Sequence, residues 1–70
     1  MRTNLQSIFN SLKIELHVVK RNIEKAQTNF ELDSETTDKL SDVAELISTA
    51  AASLKQCEQD VPLEQLHKFA

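Results

Sequence analysis

Residues 5–30 read LQSIFNSLKIELHVVKRNIEKAQTNF, and the fold is decided there. The apolar residues Leu5, Phe9, Leu12, Leu16, Val19, Ile23, Ala26 and Phe30 recur at steps alternating four and three. That spacing averages 3.5 residues, the repeat that turns one stripe of a long helix toward a partner. The stretch holds no Gly and no Pro. Thr3 and Gln6 have the spacing of a capping box at its start. Asn29 tolerates the left-handed backbone that ends helices, and Lys25 suits the negative end of the dipole. Such a rod is about 39 Å long and marginal alone in water, so its stripe predicts burial.

Glu31-Leu-Asp-Ser34 predicts the connection to a second helix. Asp33 or Ser34 is the expected N-cap, Glu35 and Asp38 lie in the first turn, and Leu32 is placed to pack back onto the helix. A connection this short makes the two helices antiparallel neighbours. The second stripe is Leu40, Val43, Ile47, Ala50, Leu54, Cys57 and Val61, widened by Ala44, Leu46 and Ala51. Ala50-Ala51-Ala52 leaves room for bulky Leu12 and Leu16 opposite. Pro62 then disfavours helix at Val61 and suits the first turn of a new one, with Asp60 as its expected cap and Glu64 in its first turn. Leu63, Leu66, Phe69 and Ala70 give that short helix an apolar edge. The expected fold is all-α, in one domain: helices at about 4–29, 34–59 and 62–69.

Seventy residues with a single cysteine can form no intrachain disulfide, and a core this small barely offsets the ordering entropy. Oligomerisation is the remaining support. A bare hairpin would leave part of each stripe wet, Ile8, Phe9 and Phe30 included. Two hairpins face to face form a four-helix bundle. The expected assembly is therefore a homodimer meeting through Leu5, Phe9, Leu12, Leu16, Val19, Ile23, Phe30, Leu40, Val43, Ile47 and Leu54. A monomer closed by the third helix and a subunit of a hetero-complex are the alternatives.

The composition argues against catalysis. Without Gly there is no phosphate-cradling loop. His17 and His67 have no carboxylate or Cys at ligand spacing, so neither a metal nor a cofactor is expected. Cys57 reads as a small hydrophobe on the buried stripe. Asp38, Asp42 and Glu45 read as a solvated face. No apolar run approaches a membrane span and no leader is apparent, so a cytoplasmic protein is expected.

Charge is uneven along the chain. Residues 1–30 carry five basic and two acidic residues, whereas residues 31–70 carry three and nine. Packed helices of opposite sign usually attract each other. Ile14 and Val18 lie one turn apart on the far side of helix one, ringed by Lys13, His17, Arg21 and Lys25. An apolar pair inside a basic rim suits a protein partner. Ile14, Val18 and Arg21, with the Leu63, Leu66 and Phe69 edge, are the candidate partner-binding residues. The leading expectation is a non-enzymatic interaction protein: an adaptor, inhibitor or anti-activator, or chaperone-like regulator. The alternative is a nucleic-acid-binding transcriptional regulator using Lys13, Lys20, Arg21 and Lys25, with Arg2 on the same face. Glu24 interrupts that patch, and no aromatic residue is placed to stack on bases; the plainer reading is that these side chains keep a long helix soluble, with Lys20 and Glu24 as an i,i+4 pair.

Overall fold

The computed structural model describes residues 3–69. Arg2 and Ala70, named above on the basic face and the C-terminal edge, lie outside that range. The described chain runs through α1 (Leu5–Asn29), α2 (Ser34–Asp60) and α3 (Leu63–Leu66). α1 and α2 pack together along their length, and α3 packs on α1.

The helix ends follow side-chain chemistry, with corrections. α1 is capped by Asn4, one residue after the expected Thr3: its Oδ1 accepts the Ser7 N–H and the Ser7 hydroxyl, each at 2.8 Å. The Asn4 amide oxygen reaches the N–H of the third helical residue directly, so no capping box with Gln6 is required. Gln6 turns instead to Asn10 and to Glu58 of α2. At the other end no residue is left-handed. The chain leaves α1 by an extended Phe30 (φ −128°, ψ 146°), so Asn29 closes the helix without the expected turn. α2 starts where expected. Asp33 accepts the Thr36 N–H at 2.9 Å, and its bonds to Thr36 hold the carboxyl below its ordinary value.

The third helix is shorter than expected, four residues against about eight. Pro62 stands at its N-cap rather than inside it, and no side chain caps it, so Asp60 does not play that part. Its carbonyl takes the N–H groups of Gln65 and Leu66. The chain then straightens, and Phe69 pairs with Asn4 in an isolated antiparallel bridge. The tail is thereby laid across the first turns of α1.

The core is small. Only Phe9 (8 % exposed), Ile23 (8 %) and Leu66 (4 %) are buried apolar residues among those described. Phe9, expected to stay wet in a bare hairpin, is covered. The Cα radius of gyration is 15.8 Å, against about 11 Å for a compact domain of this length. A single chain is thus a rod pair with little interior.

Candidate functional site

Three lines of heptad spacing run side by side along α1. The first is Phe9, Lys13, Leu16, Lys20, Ile23 and Gln27. Apart from Lys13 these are buried or half-buried. The line of α2 that meets them is Leu40, Ala44, Ile47, Ala51, Leu54 and Glu58, all half-buried. Alanines at two of these positions let the backbones approach and leave space for larger side chains of α1. Leu16 and Ala51 accordingly line one groove.

Polar bonds mark one edge of this seam. Gln27 Nε2 donates to the Ser41 hydroxyl at 2.9 Å and to the Thr37 carbonyl at 3.1 Å. At the opposite end Lys13 Nζ lies 2.9 Å from Glu58 Oε2, and the Gln6 amide donates to that oxygen at 3.1 Å. The Lys13 ammonium holds the Glu58 carboxyl below the usual glutamate range, against a smaller opposing effect of burial and with help from Gln6. This is the one cross-helix ion pair among the described residues. The other pair, Glu35–Lys39, lies within α2. The expected Lys20–Glu24 pair does not form.

A pH dependence follows from Glu58. Its folded pKa is depressed, so the clamp contributes fully above the ordinary glutamate range. That contribution fades as pH falls through the folded value. Wild type is expected to melt above Glu58→Gln at neutral pH, with the difference shrinking as the pH is lowered below that range. Thermal melts by circular dichroism across an acid series check this. A gap that widens in acid refutes it.

The second line of α1 is Leu5, Ile8, Leu12, Glu15, Val19, Asn22 and Ala26. Ile8, Leu12 and Val19 are exposed there. On α2 the neighbouring line is Val43, Leu46, Ala50, Ser53 and Cys57, all exposed, with Leu46 at 67 %. Ser41, Ser48, Lys20 and Gln27 mark the opposite flanks of the two helices. At about 100° per residue the two open lines fall on the same side of the antiparallel pair. They form one apolar face. Cys57 belongs to it and is exposed, which corrects its placement on the buried stripe. One partner helix covers only one heptad line, and Glu58 takes the inward position that Cys57 was expected to hold.

The residues expected at a dimer interface therefore divide. Phe9 and Ile23 are buried within the single chain, and Leu16, Leu40, Ile47 and Leu54 lie half-buried in the α1–α2 seam. Leu5 is half-buried near the tail, and Leu12, Val19, Val43 and Phe30 are exposed. Ile8, Leu46, Ala50 and Cys57 complete the open face. The second heptad line carried the signal for them.

The third line of α1 is Ser7, Ser11, Ile14, Val18, Arg21, Lys25 and Thr28, all exposed. Ile14 is 64 % and Val18 48 % exposed. A shallow depression among His17, Val18, Arg21 and Lys25 adjoins the groove that holds Lys13, His17 and Lys20. Of the four basic residues expected to meet nucleic acid, Lys13 is tied to Glu58 and Lys20 is half-buried in that groove. Arg21 and Lys25 are exposed and enter no ion pair among the described residues. Of the C-terminal edge, Leu66 is inside the fold, and Leu63 and Phe69 are exposed.

No group of three or more His, Cys, Asp or Glu side chains gathers as a metal site among the described residues. No helix among them is long and apolar enough to cross a membrane. Compared with family models, curated proteins and solved structures, the chain matches none.

Proposed function

We propose that this chain is a non-enzymatic protein-interaction module, built as a homodimeric four-helix bundle. In this reading it serves as an adaptor, inhibitor or chaperone-like regulator of another protein. The observation that carries the reading is the open apolar face: Ile8, Leu12, Val19, Val43, Leu46, Ala50 and Cys57 all exposed on one side of one hairpin. Each helix of a four-helix bundle needs two neighbours and so two adjacent apolar lines. Both helices here carry two lines and use one. The open lines run along much of both helices, the kind of surface that a second copy would cover. Charge is scarce on this face, with Glu15 on α1 and Lys39 at the edge on α2, which favours burial against a like surface. A nucleic-acid-binding regulator ranks below this reading, because Lys13 is already neutralised within the chain and the rest of the basic surface is interrupted by Glu24.

Light scattering on the purified protein tests it. The expected mass is twice that of one chain at high concentration, with dissociation on dilution. Val19→Asp/Leu46→Asp is expected to weaken association at least ~10-fold, since each carboxylate would be buried without a partner. Both positions are exposed in the single chain, so a lone hairpin would tolerate the change. A wild-type chain that remains single, with melting independent of concentration, overturns the reading.

A further inference from the structure

The third line of α1 points away from α2 and away from the open apolar face, so dimerisation leaves it free. Its centre is Ile14 and Val18, one turn apart and both exposed. The line continues as Arg21 and Lys25, whose apolar stems prolong the stripe while their charges reach the surface. His17 flanks it and joins it to the neighbouring groove, which Lys20 lines together with Leu16, Ile47 and Ala51. Two features coincide. The heptad spacing matches a helix laid alongside, whose anchors recur every three and four residues. The charges are mainly basic, interrupted by Glu24, and Lys20, Arg21 and Lys25 enter no ion pair among the described residues. Lys13, at the edge of the same surface, has already found a carboxylate of α2.

We infer that the outer face of α1 binds an acidic amphipathic helix of a partner protein. The inference rests on the reading of the chain as an interaction module and names the chemistry of what it takes. Leucine-type anchors of the partner pack on Ile14 and Val18. Its flanking carboxylates meet His17, Arg21 and Lys25, with Lys20 reaching from the side. Nucleic acid fits less well, because a phosphate backbone has no use for two exposed aliphatic side chains at the centre of the patch.

The test uses the full chain and a fluorescent synthetic peptide of about 18 residues, with leucines at heptad positions and glutamates elsewhere. A control peptide replaces the glutamates with lysines, and a labelled DNA duplex is the third probe. The acidic peptide is expected to bind at least ~10-fold more tightly than the basic one. Arg21→Glu/Lys25→Glu should lose at least ~10-fold in affinity, and Ile14→Ala/Val18→Ala a similar factor. All four side chains are exposed, so circular dichroism should be unchanged. Equal affinity for the two peptides overturns the inference, as does binding indifferent to Ile14→Ala/Val18→Ala. Steeply salt-dependent binding of the duplex with none of the acidic peptide also overturns it and assigns the face to phosphate. The mass of the unliganded chain, measured on the same samples, reports the dimer separately. A dimer that ignores the acidic peptide sinks this inference and leaves the bundle standing.

Discussion

Phe9→Ala is expected to abolish cooperative folding at ordinary temperatures or to lower the melting temperature by 15 °C or more. Phe9 is one of three buried apolar residues among those described, and the only aromatic one. Truncating a buried Phe costs about 3–5 kcal/mol. A domain of this size has ~3.5–10 kcal/mol in all, and with an elongated fold and so small a core the lower end applies. Each kcal/mol moves the midpoint by roughly 4–8 °C in a domain this short. Phe30→Ala provides the comparison. It removes the same atoms from a largely exposed position at the α1 C-cap, and exposed substitutions usually change stability by less than ~0.5 kcal/mol. Circular dichroism melts of both variants and wild type, at one fixed protein concentration, decide the matter. Equal melting temperatures for the two variants would mean that the interior lies elsewhere. Fixed concentration matters because self-association adds stability by mass action.

Phe9 also shows how far the chain could be read without coordinates. The alternating steps of four and three announce a helix and the existence of a stripe, because both follow from residue spacing alone. Asp33 as N-cap, the short connection and the antiparallel pairing are legible for the same reason: each depends on residues close in sequence. Which part of the stripe is buried depends on the angle at which the two helices meet. In α2 the inward line is Leu40, Ala44, Ile47, Ala51, Leu54, Glu58. Ranking by hydrophobicity selects Val43 over Ala44 and Cys57 over Glu58, and so places the seam one residue off. Small alanines let the helices approach, and Lys13 with Gln6 makes an inward carboxylate affordable, two effects of the partner helix that no local pattern contains. The bridge that holds the tail against the start of α1 is long-range in the same sense, since Asn4 and Phe69 lie at opposite ends of the described chain. The candidate sites were legible in kind rather than in detail. Ile14, Val18 and Arg21 lie where the helical wheel puts them, whereas Ile8, Leu46 and Cys57 emerge only once the inner seam is assigned.

The tail yields the second large effect. Leu66→Ala is expected to destabilise the chain by about 2–3 kcal/mol, the lower part of the range for a buried leucine, because a chain end can settle into the space left behind. The same change at Leu63, one turn earlier on α3 and exposed, is expected to be nearly silent. The contrast separates two roles for the short helix. If α3 serves as a lid on the hairpin, Leu66→Ala lowers the midpoint by about 10 °C or more and loosens the region around Asn4 and Phe9, which amide hydrogen exchange would register as faster exchange in the first turns of α1. If instead the tail is held in place only by a partner, Leu66→Ala leaves the melting of the isolated protein unchanged. Four residues of helix without a side-chain cap cannot persist alone. Their order comes from Leu66, the most buried of the buried apolar residues, and from the Asn4–Phe69 bridge beside it. Once Leu66 is cut back, that bridge has too little support to hold the last turn against α1.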